Sequence, residues 1–333
     1  MRRVTVIPGD GIGPDLVAVA RRVIEASGTA IAWEEVDAGE TAFARYGQPL
    51  PPETLASVRR TGVVLKGPMT VPPQGYASPN RALYRAFQAY AQVRLAYHFP
   101  GARAGQPGTA ITIVRELTEG LGRGAQDQLG PSTGFAVQII TREASARIAR
   151  FGFDYARARG LRRVTVPHQA AILRATDGLF VRAVREVAEA YPDLELREEA
   201  MDALCLRLVK RPQDYEMLLT DALYGGILAG LCAGLAGSVG LMPGCNSGPA
   251  VAIFEAGHGS APHYAGQNKA NPVGVVLSGA LLLEHIGEAR AAARVWKAVR
   301  GVIREGRFLT YDLGGSASTS EIGEALVQAV RAV

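Results

Sequence analysis

The chain has 333 residues, 48% of them hydrophobic and 20% charged, which gives enough apolar material for a sizeable core and excludes a disordered or low-complexity protein. Lys+Arg 36 against Asp+Glu 31 leaves a net charge of only +5, spread without a block of like charges, so neither a nucleic-acid partner nor a polybasic membrane surface is indicated. Cys205, Cys232 and Cys245 are too few and too scattered for a zinc site or a disulfide framework, and a cytoplasmic location is the expectation. The chain opens on Met-Arg-Arg and runs straight into Val4–Ile7 with no signal-like apolar segment.

In chain order, short apolar runs alternate with amphipathic ones, the pattern of an α/β fold. Val4–Ile7 predicts a strand, a glycine-rich turn follows, and 15–26 predicts a helix with Leu16, Val19, Ala20 and Ile24 on one face. Val63–Leu65 and Ile111–Val114 predict buried strands. Residues 142–159 predict a helix, 163–166 a strand and 180–190 a helix. Met217–Leu219 predicts a strand and 223–235 a glycine-rich helix, with late helices over 280–286 and 291–303. Loops are expected at 100–108 and 120–134.

From Ala222 to Phe254 no residue is charged, and Gly226, Gly230 and Gly234 fall at four-residue spacing, the small-residue face of packed membrane helices. Pro243 and the many glycines break the run too early to cross about 30 Å of hydrocarbon. It reads as a buried helix of a soluble chain.

Three groups of residues point to chemistry. The turn Ile7-Pro8-Gly9-Asp10-Gly11-Ile12-Gly13-Pro14 brings backbone close to something and reads equally as an ordinary tight turn or a phosphate cradle, and its glycine spacing is not that of a Rossmann fingerprint. His258-Gly259-Ser260-Ala261-Pro262, followed by Gln267-Asn268 and Asn271-Pro272, combines exposed backbone amides with planar donors and acceptors, a loop suited to a nucleotide. Ser78, Asn80, Arg94 and Arg115 lie near element ends, where two guanidinium forks could clamp a polycarboxylate.

Taken with Leu65-Lys66-Gly67-Pro68-Met69-Thr70, Val114-Arg115-Glu116, Asp177-Gly178-Leu179-Phe180, Leu223-Tyr224-Gly225 and Asp312-Leu313-Gly314-Gly315, these motifs make the chain resemble the isocitrate/3-isopropylmalate/homoisocitrate dehydrogenases over essentially its full length, closest to NAD-type isocitrate dehydrogenases. The resemblance implies an isopropylmalate-dehydrogenase-like two-domain α/β fold, not Rossmann, with a mixed sheet flanked by helices. Its domains would be a large nucleotide-binding part, 1–99 plus 250–333, and a small dimerisation and substrate part, 100–249. It also implies a dimer in which each protomer completes the other's site.

The family reaction needs a divalent metal, a lysine–tyrosine pair that handles protons, and arginines that hold carboxylates. Against the family's pattern the two metal-binding aspartates read Gly226 and Gly230, the catalytic lysine reads Gln169 and the catalytic tyrosine reads Gly122. A substrate arginine reads Tyr84, while Arg94, Arg115 and Asp202 match. No catalytic residue and no Mg²⁺ or Mn²⁺ site is therefore expected. Because the lysine and the aspartate matching Asp202 act in the neighbouring protomer's site, pairing with an intact paralogue inside one dimer would spoil both sites. A homodimer, alone or docked on a catalytic dehydrogenase paralogue, fits better. Glycine costs about 0.8–1 kcal/mol relative to alanine in a helix, so positions 226 and 230 either open space for a ligand or neighbouring backbone, or record a neutral loss.

The expected ligand is a small polycarboxylate at Ser78, Asn80, Arg94, Arg115 and Asp202, or a nucleotide. Cofactor contacts are expected from Lys66, Thr70, His258, Gly259, Ser260, Ala261, His263, Tyr264 and Asn271. His263-Tyr264 replaces the family's NAD-selecting aspartate, which leaves NAD, NADP and AMP open. The resemblance and its departures together imply a pseudoenzyme, a regulatory or ligand-sensing homologue of NAD-dependent isocitrate dehydrogenase. The alternative is an active oxidoreductase or lyase of the family with altered, metal-independent chemistry.

Overall fold

A computed structural model describes residues 1–72, 76–122 and 124–333. The chain divides into two units: unit 1 is Met1–Ala89, Tyr97–Pro107 and Ala236–Val333, and unit 2 is Tyr90–Ala96 and Gly108–Leu235. Unit 1 begins with β1 (Arg2–Ile7), α1 (Gly13–Ala26), β2 (Ile31–Glu35), α2 (Glu40–Tyr46), α3 (Pro52–Thr61), β3 (Val63–Lys66) and α4 (Pro79–Ala86). Unit 2 takes up β4 (Ala91–Tyr97), β5 (Ala110–Glu116), the hairpin of β6 (Gln126–Gln128) and β7 (Gly134–Ala136), and α5 (Arg142–Ala158). It continues with β8 (Arg163–His168), α6 (Asp177–Ala188), β9 (Glu195–Ala200), α7 (Met201–Lys210), β10 (Met217–Thr220) and α8 (Ala222–Ala236). The return to unit 1 supplies β11 (Gly244–Gly248), β12 (Val251–Phe254), α9 (Val273–His285), α10 (Ala289–Glu305) and α11 (Thr319–Ala332).

In unit 1 the strands lie in the order β2-β1-β3-β12-β11. All neighbours whose register is described are parallel except β11, which runs antiparallel to β12. β3 and β12 are almost continuously apolar, and β1 is buried over Val4–Ile7, as expected where helices cover both faces. α1 starts on Gly13-Pro14 with Asp15 in its first turn, and buries Leu16, Val17, Val19, Ala20, Val23 and Ile24. α9 is buried throughout residues 273–283, and bare backbone lets it fit. A Cβ at Gly279 would stand 2.6 Å from Ile24 Cδ1, and one at Gly274 would stand 2.9 Å from the Gly240 carbonyl.

In unit 2 the order is β4-β5-β10-β8-β9, with β10 parallel to β5 and β8, and β8 parallel to β9. α5 packs one face inward through Ile148, Ala149, Phe153 and Ala156, and Thr141 caps it by accepting the Ala144 N–H. Thr112, Ile113, Val114 and Arg115 of β5 pair in register with Met217–Thr220 of β10. That register sets Arg115 beside the start of α8.

Three expectations change against this structure. The division falls at 107/108 and 235/236 and not at 99/100 and 249/250, because β11 pairs with β12 in unit 1, and most of β4 lies in unit 2, beside β5. Residues 120–134, expected as a loop, contain β6 and the first residue of β7; Arg123 lies outside the described residues. α8 is not buried all round: Leu228, Cys232, Ala233 and Leu235 face the core, while Leu223 and Ile227 are exposed. Among the described residues no helix is long and apolar enough to cross a membrane.

Candidate ligand-binding site

The glycine-rich turn after β1 is built for contact with its own chain. A Cβ at Gly9 would strike the Pro68 carbonyl, and one at Gly11 would strike the Ser260 carbonyl. Both glycines have positive φ, 74° and 59°, the region that suits glycine. Backbone bonds close these approaches: Asp10 N–H donates to Pro68 O (2.8 Å) and Ile12 N–H to Ser260 O (2.9 Å). The Asp10 carboxylate accepts from the backbone N–H groups of Glu40, Thr41 and Thr70, and from the Thr41 hydroxyl. The turn therefore serves as a packing hub within unit 1.

That hub positions the expected nucleotide loop within unit 1. Thr70 and Ser260 share a hydroxyl–hydroxyl bond of 2.8 Å. Ala261 takes a left-handed conformation, φ 38°, unusual for a residue with a Cβ. It opens a short 3₁₀ turn, Pro262–Tyr264. His258 Nδ1 lies 3.0 Å from the Gly259 carbonyl. The His263 and Tyr264 rings lie 4.3 Å apart, and Lys269 places its ammonium 5.4 Å from the Tyr264 ring and 4.8 Å from that of Tyr311. Sequence reasoning misses Lys269 and Tyr311, whose only signal is that a basic and an aromatic residue accompany a loop already singled out.

Two further residues expected as nucleotide contacts, Lys66 and Asn271, are buried. Lys66 is 0% exposed, ion-paired with Glu255, and donates to the Gly67 carbonyl at 3.0 Å. Glu255 also accepts from the Tyr84 hydroxyl (2.6 Å) and the Asn246 amide (2.8 Å). Tyr84, standing where the resemblance places a substrate arginine, thus points its polar end inward. Asn271 donates to Asp312 and accepts the Val273 N–H, which spends its amide on holding the start of α9. Ser78 and Asn80 stand at the start of α4, and Asn80 Oδ1 is buried without a hydrogen-bond partner among the described residues.

In unit 2, Arg94 and Arg115 come from the neighbouring strands β4 and β5. Arg115 lies across the first turn of α8. Its Nε donates to the Ala222 carbonyl at 2.7 Å and its Nη1 to Gln92 Oε1 at 3.3 Å. Gly225 and Gly226 make this possible. A Cβ at Gly225 would fall 2.5 Å from Arg115 Cγ, and one at Gly226 would fall 3.2–3.4 Å from Nη2, Cζ and Nη1 of the guanidinium. Nothing lies within 4 Å of a Cβ placed at Gly230. Asp202 stands exposed in the first turn of α7, and Gly122 is exposed after β5.

A second polar cluster, which sequence reasoning misses, surrounds the start of α8. The Asp221 carboxylate accepts the Tyr224 N–H at 2.8 Å and the Gln138 amide at 3.2 Å, which caps the helix. Burial pushes the Asp221 carboxyl up to about 6, and the neighbouring Asp177 charge adds to the shift. Asp177 accepts from the Tyr224 hydroxyl (3.0 Å) and from the backbone N–H of Gln169 (2.7 Å). Burial likewise raises the Tyr224 hydroxyl, so it remains a donor. Pro167, His168, Phe180 and these acids enclose about 10 Å³, room for about one water. The signal in the sequence is an acid directly before an uncharged helix, a strong N-cap pattern.

The divalent metal implied by the resemblance finds no donor set in these residues. Mg²⁺ or Mn²⁺ takes hard oxygen ligands. Position 226 offers a hydrogen atom against a guanidinium, and position 230 offers a hydrogen atom against open space. Among the described residues no three His, Cys, Asp or Glu side chains gather to hold a metal ion.

Comparison with known proteins agrees with this architecture. The isocitrate/isopropylmalate dehydrogenase family model matches residues 3–326. The chain is 42% identical to the mitochondrial NAD isocitrate dehydrogenase catalytic subunit 5 of Arabidopsis thaliana, over 97% of this chain and 87% of that protein. It is 39% identical to a mitochondrial NAD isocitrate dehydrogenase regulatory subunit of Dictyostelium discoideum, over 99% and 92%. The crystal structure of isocitrate dehydrogenase from Methylococcus capsulatus superposes with a TM-score of 0.96 at 43% identity, over 99% of this chain and all of that one. The cytoplasmic expectation is overturned here, since both curated relatives are mitochondrial. Sparse cysteines report a reducing environment, and the cytoplasm is not the only compartment of that kind.

Proposed function

The chain belongs to the isocitrate/isopropylmalate dehydrogenase family, and within it we propose that it is a non-catalytic, ligand-sensing or regulatory homologue of NAD-dependent isocitrate dehydrogenase. The observation that carries this reading is the Arg115 guanidinium packed on Gly226. A cationic side chain occupies the neighbourhood where the family's chemistry calls for carboxylates and a divalent ion. Gln169, at the place of the catalytic lysine, carries an amide that takes up no proton near neutral pH. With proton transfer worth about 10²–10⁴-fold per group, losing the lysine and the tyrosine together removes useful turnover even before the metal is considered.

What the chain's own residues retain is binding chemistry. Arg94 and Arg115 hold a small polycarboxylate by charge-assisted bonds, with Asp202 as a further contact. His258–Ala261, Thr70, His263 and Tyr264 hold a nucleotide, and Lys269 brings a positive charge to the same loop. A basic group beside Tyr264 and Tyr311 favours NADP over NAD, because a ribose phosphate adds negative charge where a plain hydroxyl adds none. The protein acts as a homodimer, alone or docked on a catalytic paralogue.

The direct test is oxidation of isocitrate by the purified protein with Mn²⁺ and NAD or NADP, read as nicotinamide reduction. The expected trace is flat; turnover in the ordinary range of about 1–10³ s⁻¹ defeats the reading. A metal-independent enzyme is the second reading, favoured by the Asp221 carboxyl, which burial pushes up to about 6 where it caps the helix that carries Tyr224. Turnover that persists in chelator would select it.

A further inference from the structure

Within unit 2, the first half of α5 and the end of α6 leave between them a groove of about 500 Å³, the ordinary size of a small-ligand site. Small side chains create it. Ala146 on α5 and Ala190 just past α6 are too short to fill the space, and Val187 completes an apolar floor. Tyr191 makes a fixed wall: its ring stacks on Phe153 with centroids 5.0 Å apart, Arg157 lies 4.6 Å over it, and its hydroxyl donates to Asp154 at 2.8 Å.

The charges around this floor are of two kinds. Arg142 on α5 pairs with Glu186 on α6 at 2.5 Å, and each neutralises the other. Arg157 and Arg185 are likewise paired, with Asp193 and Glu198. Glu143 and Arg150 line the same groove and stand exposed, yet their side chains have neither ion pair nor hydrogen bond among the described residues. Two turns apart on one face of α5, they are separated by about 10 Å along its axis, beyond the three- or four-residue spacing at which helix charges pair. A short apolar chain with opposite charges at its ends would satisfy both and cover the floor between them.

We propose that this groove binds a small elongated zwitterion, of the class of ω-amino acids, with its carboxylate on the Arg150 guanidinium, its ammonium on Glu143 and its methylenes over Ala146 and Val187. An α-amino acid carries both charges on one carbon and cannot reach both ends. The site uses neither Arg94 nor Arg115, nor any residue of the nucleotide loop, so it stands independently of the function proposed above.

The test is calorimetric titration of the full-length protein with 6-aminohexanoate, hexanoate and hexylamine, which share a chain and differ in their charged ends. 6-Aminohexanoate is expected to bind about fivefold tighter than either single-ended probe, the scale of a well-placed exposed ion pair. Arg150→Gln should lower its affinity to that of hexylamine and leave hexylamine unchanged. Glu143→Gln should lower it to that of hexanoate and leave hexanoate unchanged. Both side chains are exposed, so Tm should hold in each variant. Ala146→Leu fills the floor with another good helix former and should abolish binding of all three probes while the circular dichroism of the chain stays the same.

Equal affinity for the three probes overturns the proposal, as does the absence of binding by 6-aminohexanoate at millimolar concentration. A loss in Arg150→Gln that falls equally on hexylamine also overturns it, because the arginine would then not be reading the carboxylate.

Discussion

Replacing Asp221 with asparagine removes a buried charge from the head of α8, and its effect on stability should depend strongly on pH. The carboxyl is 5% exposed and titrates near 6 in the folded chain against 3.8 for the free group, chiefly because burial penalises its charged form. The folded state therefore binds this proton more tightly than the unfolded state. The stability it confers is complete below about pH 4 and is lost as pH rises through about 6. The difference between these two values, at about 1.36 kcal/mol for each pH unit, amounts to about 3 kcal/mol surrendered by neutral pH. Asparagine keeps an acceptor for the Tyr224 N–H and is an equally good N-cap, so the variant escapes most of this loss. Urea unfolding followed at about pH 4 and again at about pH 7.5 should show near-equal stability in acid and a gain of about 2–3 kcal/mol for Asp221→Asn at the higher pH. A pH-independent difference, or a variant less stable at neutral pH, would refute the argument.

Two further comparisons test the packing that sets the site. Lys66→Met leaves Glu255 buried without its counter-ion and should cost about 3–5 kcal/mol, seen as a large fall in Tm; a loss below about 1 kcal/mol would mean the pair is not buried as described. Gly225→Ala drives a β-carbon to 2.5 Å from Arg115 Cγ and should cost about 1–3 kcal/mol, whereas Gly230→Ala points into open space and should gain up to about 1 kcal/mol. Equal thermal shifts in the two alanine variants would contradict the asymmetry.

The elements legible in the sequence are those whose period is clean. The core face of α1, the apolar β3 and β5, and the amphipathic α5 and α10 all follow from spacing alone, to within a few residues at each end. Only 280–286 of α9 is legible, because Val273–Gly279 mixes β-branched residues with two glycines, poor helix formers that buried contacts with Ile24 and Gly240 require. β9, Glu195–Ala200, is a charged edge strand with no alternation to detect. At the site, the glycines at 226 and 230, where the resemblance expects aspartates, can be read from the letters. What fills the resulting space cannot, because Arg115 reaches position 226 only through the register of β5 with β10. The inward turn of Tyr84 onto Glu255 joins residues far apart in the chain and is equally invisible before folding.

The functional reading stands or falls on whether the face of α8 beside Arg115 takes up a divalent ion. It is tested most directly by titrating the protein, with isocitrate present, into a limiting amount of Mn²⁺ and following the paramagnetic signal of the free ion. The arrangement of Arg115, Gly226 and Gly230 predicts that the free-ion signal persists undiminished as protein is added. Its disappearance at one ion per chain would contradict the account.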